Sequence, residues 1–280
     1  VYPTSSSIFK FLQEAYTRCK EAQRVIVHTV YDWEKDIVHA LRDEGIPIDP
    51  MGPLFLKGHK RASLLSEDDG CLEWLDKQMN SSVIYASFGS NVKISLEEVH
   101  ELALGLEDSQ QPFLLVIRPD LVSGNRISDA LPTDFLSRTK ERGRVSTWVP
   151  QLDVLSHDAI GGFLSHCGWN STLESIWNGK PLIGCPRESE QNTNLKCLVD
   201  WNVAIPVDVG KNKVDLKKDL VTKAIHKLMY TPEGQRVRKK MLEFKEVARC
   251  AMESGHSRSS LNKLVQDIKE MSLGRKPGFL

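Results

Sequence analysis

Residues 159–179 constrain the fold of this chain more than any other stretch. Ala159-Ile160-Gly161-Gly162-Phe163-Leu164-Ser165 is a short apolar run with small residues, the pattern of a strand buried on both faces. His166, Cys167, Gly168, Trp169 and Asn170 follow as a tight polar turn. Ser171-Thr172-Leu173-Glu174 has the S-x-x-E spacing of a capping box, which predicts a helix starting there. Leu173, Ile176 and Trp177 give that helix an apolar face, and Gly179 and Pro181 end it. A strand that feeds a helix through a glycine-containing turn leaves unpaired N–H groups at the helix start. Together with the helix dipole, those groups attract phosphate.

The same alternation runs through the second part of the chain. Strands are expected at Val83–Phe88, Phe113–Ile117, Arg144–Thr147, Ile160–Leu164, Pro181–Cys185 and Val203–Val207. Helices are expected from Ser95, where Glu98 completes a second capping box, and over Gln191–Trp201, Leu216–Met229, Glu233–Glu253 and Ser259–Met271. Strands alternating with helices imply a parallel sheet covered on both faces. Ligands of such sheets bind beyond the carboxyl ends of the strands. Ser90, Trp148, His166 and Glu190 each fall just after a predicted strand.

The first part reads differently. Ser6–Glu21 is an amphipathic helix with Ile8, Phe11, Leu12, Ala15 and Tyr16 on one face. Arg24–Val30 is a strand, and Asp32–Glu44 a helix stopped by Gly45 and Pro47. With a single strand, this piece forms no sheet of its own and must dock on something. Ile48–Ser82 reads as a linker punctuated by Pro50, Gly52, Pro53 and Gly58. Within it, Glu67-Asp68-Asp69-Gly70 is a solvated surface patch, and Cys71–Gln78 forms a short helix.

Composition excludes several functions. Lys+Arg and Asp+Glu balance at 37 each, so nothing draws the chain toward nucleic acid or an anionic membrane. No apolar run reaches the roughly 18 residues of a membrane span. The tail Gly274-Arg275-Lys276-Pro277-Gly278 is polar, which argues against a membrane anchor. The six cysteines show no CxxC spacing, so reduced thiols in the cytoplasm are expected, with neither a zinc site nor a disulfide framework. No G-x-G-x-x-G, Walker loop or G-x-S-x-G occurs, which argues against nicotinamide, P-loop and α/β-hydrolase chemistry.

Around the phosphate seat stand groups suited to a sugar nucleotide. Trp148 can stack on a flat base. His166, Asn170 and Ser171 can donate to phosphate oxygens, and Glu174 can accept from ribose hydroxyls. Glu190 and Gln191 offer acceptors and donors for a hexose. The whole ordered run, WVPQLDVLSHDAIGGFLSHCGWNSTLESIWNGKPLIGCPRESEQ from Trp148 to Gln191, resembles the 44-residue signature box of plant-type family 1 UDP-glycosyltransferases without a gap.

The resemblance implies a Rossmann-like parallel α/β sheet, the C-terminal donor-binding domain of a GT-B glycosyltransferase, preceded by a remnant of the N-terminal domain. Residues 1–50 would be the tail of that acceptor domain, 51–81 the interdomain linker, 82–258 the UDP-sugar domain and 259–280 a C-terminal helix and tail. Donor contacts are implied at Ser90, Trp148, Val149, Gln151, His166, Gly168, Trp169, Asn170, Ser171, Glu174, Glu190 and Gln191. In the family, a glutamine at the position of Gln191 goes with glucose and a histidine with galactose. Glu190 stands where aspartate is commoner, and Glu188 where an aromatic is usual. The reaction implied is hexose transfer from UDP to a hydroxyl of a small-molecule acceptor with inversion. The resemblance calls for no metal, because fixed dipoles and donors would hold the diphosphate, and for no cofactor, because the UDP-sugar is itself a co-substrate. The family's base is a histidine steered by an aspartate in the N-terminal domain. None of the eight histidines has that context, so no catalytic base is assigned here. The chain is then a piece of such an enzyme, the donor subunit of a two-chain enzyme, or a non-catalytic sugar-nucleotide-binding protein.

Overall fold

The computed structural model describes residues 6–54, 66–68, 70–90, 92, 94–118, 127–188, 190–207 and 216–274. Residues 55–65 of the glycine- and proline-punctuated stretch, together with Asp69, Asn91, the Ile8 side chain and the tail beyond Gly274, lie outside them. Two compact units result. One holds residues 60–245, and the other residues 1–59 with 246–280.

The larger unit is built on six parallel strands: β3 (Val83–Ser87), β4 (Phe113–Val116), β5 (Gly143–Ser146), β6 (Ile160–Ser165), β7 (Leu182–Gly184) and β8 (Ala204–Pro206). Their spatial order is β5-β4-β3-β6-β7-β8. Every residue of β3, β4, β6 and β7 is buried, which is why these strands read as unbroken apolar runs rather than alternating ones. Helices α4 (Leu96–Asp108) and α9 (Lys218–Tyr230) pack on each other, and α9 also lies on β6, β7 and β8. Helix α6 (Gln151–Ser156) packs on β6 and against α3 (Gly70–Leu75) and α7 (Trp169–Asn178). The main core runs from Ile84 and Phe113 through Leu164 and Ile183 to Val221 and Leu228. Burying one such side chain contributes about 1.5–3 kcal/mol. Two short helices, α6 and α5 (Phe135–Thr139), and a 3-10 turn at Ile127–Ala130 were not expected from the sequence. The unit is completed by α8 (Gln191–Asp200) and most of α10 (Pro232–Glu253).

One expected helix start is corrected. The helix α7 begins at Trp169, two residues before Ser171, with Gly168 in the N-cap position and no side chain capping it. Ser171 and Glu174 therefore form no capping box. Their side chains are buried and turned toward Gln151, so they are not available to the helix end. The other box forms as expected: Ser95 Oγ accepts from Glu98 N at 3.2 Å, and Glu98 Oε2 accepts from Ser95 N at 2.9 Å.

The smaller unit comprises α1 (Ser7–Glu21), β1 (Val25–Val27), α2 (Tyr31–Asp43), β2 (Ile48–Pro50) and α11 (His256–Ser272). A second correction concerns β2, which pairs in parallel with β1 inside the stretch read as linker. Pro47 and Pro50 disguise it, yet the carbonyl of Pro47 still accepts from Val25 N at 2.9 Å and Pro50 closes the strand. Ile48 joins Val38 and Ile46 in a small core. Arg24 is held between Asp267 at 2.6 Å and Asp49 at 3.5 Å. Ser260 Oγ donates to Asp49 at 2.6 Å, fixing α11 on β2. Of the apolar face expected on α1, Phe11, Leu12 and Tyr16 are exposed.

Candidate functional site

Helix α4, the connection from β3, leads outward to β4, while α7, the connection from β6, leads outward to β7, and β3 and β6 are neighbours. Strand order thus reverses between β3 and β6, and the crevice beyond their carboxyl ends is where ligands of such sheets bind. Ser87 pairs with Ser165, so the turns after the two strands start level.

His166 fills that point. A Cβ on Gly89 would lie 2.7 Å from His166 Cε1, and one on Gly168 would lie 2.4 Å from Nε2. The imidazole is therefore held between two backbone segments that admit no side chain. Cys167 takes a left-handed backbone (φ 63°), its N–H donates to Ser165 Oγ at 3.2 Å, and its carbonyl accepts from Asn194 Nδ2 at 3.0 Å. These bonds fix the turn that carries His166. The ring is 9% exposed, and its Nδ1 is buried with no hydrogen-bond partner among the described residues. Burial, with the charge of Arg118 second, pushes the His166 pKa down to about 4. His166 is neutral at pH 7 and can donate from one nitrogen without carrying charge.

Beside it, the first turn of α7 presents N–H groups that have no intrahelical acceptor. The N-cap residue, Gly168, has no side chain to cap them, and no acidic residue lies in that turn. The positive end of this helix dipole is thus free of an internal anion. Asn170 is exposed in that turn. Ser171 accepts from Gln151 Nε2 at 3.1 Å, and the same amide donates to Glu174 Oε2 at 2.6 Å. Gln151 Oε1 in turn accepts from the Tyr85 hydroxyl at 3.0 Å. A chain Tyr85–Gln151–Ser171/Glu174 therefore orients two of the expected contact residues from beneath. Burial raises the Tyr85 pKa, so this phenol remains a donor at any ordinary pH.

Trp148, half-buried, and Val149, buried, occupy the loop between β5 and α6. Asp68 anchors that loop. Its N–H donates to the Trp148 carbonyl at 2.9 Å, and its carboxylate takes Arg144 at 2.8 Å and Ser146 Oγ at 2.6 Å. Burial opposes the charge, but the bonds from Ser146 and Arg144 hold the Asp68 carboxyl below the ordinary range. The sequence reading of Asp68 as a solvated surface residue is thereby corrected.

The remaining expected residues are more dispersed. Ser90 is exposed in the turn after β3. Trp169 directs its ring toward Trp201, with centroids 6.4 Å apart in an edge-on arrangement. Glu190 is exposed at the start of α8. Gln191 is 6% exposed, and its Oε1 accepts from Arg187 N at 2.9 Å and Glu188 N at 3.0 Å. The sequence reading missed Arg118, which is buried just past β4 and donates to the Val92 carbonyl at 2.8 Å. A polar residue ending the apolar run Phe113–Ile117 was its signal, the same one that picked out Ser90. Burial lifts the thiols of Cys167 and Cys185 to about 12, so neither is poised as a nucleophile. None of the six cysteines is in a disulfide, and no helix of the described residues is long and apolar enough to cross a membrane.

Comparison with known proteins bears on this geometry. The family model described as "UDP-glucoronosyl and UDP-glucosyl transferase" matches residues 65–236. UDP-glycosyltransferase 76E1 of Arabidopsis thaliana is 38% identical over 96% of this chain and 60% of its own length. The 7-deoxyloganetin glucosyltransferase of Gardenia jasminoides is 42% identical over 92% of this chain and 54% of its own. Among solved structures, Phytolacca americana UGT2 complexed with UDP-2fluoro-glucose and pterostilbene superposes with a TM-score of 0.85. It is 36% identical over 95% of this chain and 59% of its own. The chain therefore spans a little over half the length of the curated relatives it matches.

Proposed function

The chain belongs to the UDP-glucoronosyl and UDP-glucosyl transferase family, and from that premise we propose that it forms the donor-holding half of a transferase that moves a hexose, glucose by preference, from UDP to a hydroxyl of a small molecule with inversion. Its six-stranded parallel sheet is the sheet of the GT-B relatives. The observation that carries the reading is the uncapped start of α7 at the strand-order reversal, with a neutral His166 packed between Gly89 and Gly168 beside it.

In this reading the diphosphate rests on the α7 N–H groups, His166, Asn170 and Ser171. Trp148 stacks on the base, and Glu174, oriented by Gln151, accepts from the ribose. Glu190 and the amide nitrogen of Gln191 face the hexose. As the sugar leaves, charge grows on UDP, and donors already fixed in place stabilise it without having to reorganise. Those dipoles do the work that a metal would otherwise do, so the reading calls for none, and for no cofactor beyond the sugar nucleotide. The base that takes the acceptor's proton is not assigned to any residue of this chain. Glucose and a small hydroxylated acceptor are supported by the glucosyltransferase relative and by the ligands of the Phytolacca structure. Six cysteines outside any disulfide support a reducing, cytoplasmic setting.

Calorimetric titration with UDP tests the reading directly. Saturable binding to the chain alone is expected, weakened at least tenfold in Gly168→Ala, whose methyl would displace the His166 ring. No heat and no thermal stabilisation by UDP would overturn it.

A further inference from the structure

The loop between β7 and α8 is closed into a ring by Gln191. Both partners of its side-chain oxygen, Arg187 N and Glu188 N, are N–H donors. The oxygen must therefore face the loop and the amide nitrogen must face away from it. Gln191 is thus a strut for the loop as well as a candidate sugar contact.

The other end of the loop is tied across the sheet. The Arg187 guanidinium forms an ion pair with Glu98 Oε1, both side chains being largely buried, at 11% and 14% exposure. Glu98 sits in the first turn of α4, where its second oxygen completes the capping box with Ser95. One carboxylate therefore both starts a helix and holds a loop. Helix α4 follows β3, the loop follows β7, and β6 stands between those two strands. The ion pair consequently spans the carboxyl end of β6, the strand that delivers His166. Burying two charges costs desolvation, and well-packed apolar residues would stabilise the fold as well or better. What the pair supplies beyond that is geometry, because a buried guanidinium held by a carboxylate that the α4 cap already fixes keeps little freedom of position.

We propose that Glu98 and Arg187 are positioning residues that set the β7–α8 loop over the donor site, so that they govern the sugar-dependent part of donor binding and leave the nucleotide-dependent part alone. This rests on the donor-site reading above: the diphosphate seat belongs to β6 and α7, whereas Glu190 and Gln191 ride on the loop. Neither Glu98 nor Arg187 is asked to touch the donor.

The test compares the affinities of UDP and UDP-glucose, by calorimetry, in the wild-type chain and in four variants. Glu98→Gln keeps the capping box, which accepts glutamine at that position, and removes only the charge opposite Arg187. Arg187→Met keeps the aliphatic stem. Arg187→Lys keeps the charge and loses the fork, and it carries the test should a neutral variant fail to fold. UDP affinity is expected to stay within about twofold, while UDP-glucose weakens about tenfold in the neutral variants and less in Arg187→Lys. The double variant Glu98→Gln/Arg187→Met is expected to be no worse than either single change. An unchanged UDP-glucose to UDP ratio, or equal weakening of both ligands, would reduce the pair to a structural tie and overturn the proposal. A wild-type chain that bound no UDP would instead overturn the donor site itself, before any variant was read.

Discussion

His166 concentrates the physics of the site in one ring. Its folded pKa of about 4 lies below the ordinary 6.5, because burial and the nearby Arg118 both disfavour the imidazolium. Between those two values the unfolded chain takes up a proton that the folded chain refuses. Stability contributed by the neutral ring is therefore complete above pH 6.5 and is lost as pH falls toward 4, to a total of about 3 kcal/mol. Glutamine has no such titration. Urea unfolding of the wild type and of His166→Gln between pH 7 and pH 4.5 should show the wild type losing more stability than the variant across that window. Parallel pH dependences would mean that the ring is not held neutral.

At the scale of elements, two S-x-x-E sequences in one sheet unit behave differently, and packing decides between them. Ser95 precedes α4 with its side chain exposed and free to fold back on Glu98 N. Ser171 lies two residues past the start of α7, buried and claimed by Gln151. Ser95→Ala should therefore cost about 1 kcal/mol and Ser95→Gly only a few tenths, the signature of an N-cap. A loss in Ser95→Gly as large as in Ser95→Ala, measured by denaturant midpoints at constant slope, would contradict that role. The contrast also explains what the sequence made legible. Strands β3, β4, β6 and β7 were readable because burial on both faces leaves continuous apolar runs such as Val83–Ser87. Residues Trp148 to Gln191 were readable as an ordered motif. The start of α7 was not, since the S-x-x-E spacing carries no information on whether the serine is buried. Strand β2 was hidden by its prolines, and α6 is too short, at 6 residues, to show a helical period. Asp68 and Arg118 were hidden for another reason: their roles depend on partners far along the chain, Arg144 and Trp148 for the first, His166 and Val92 for the second.

At the scale of the whole chain, the donor-site reading confines the ligand to one of the two compact units. Every residue assigned to UDP or its sugar, from Ser90 to Gln191, falls within residues 60–245. A ligand that binds only the folded form of that unit stabilises it by mass action, by about 2.7 kcal/mol at a hundredfold excess over its dissociation constant. That gain must appear in every amide that exchanges only when the unit unfolds, which the buried strands β3, β6 and β7 supply. A local gain must appear as well, where the ligand itself covers or orders backbone. Hydrogen exchange with and without saturating UDP should therefore slow the amides of β3, β6 and β7 together by about a hundredfold. The first turn of α7 should slow although it is uncapped in the free chain. With UDP-glucose in place of UDP, the added protection should be concentrated in Arg187, Glu188 and the start of α8, because the loop closed by Gln191 meets only the sugar. Protection of the strands without any at the start of α7 would place the nucleotide somewhere other than the crevice between β3 and β6.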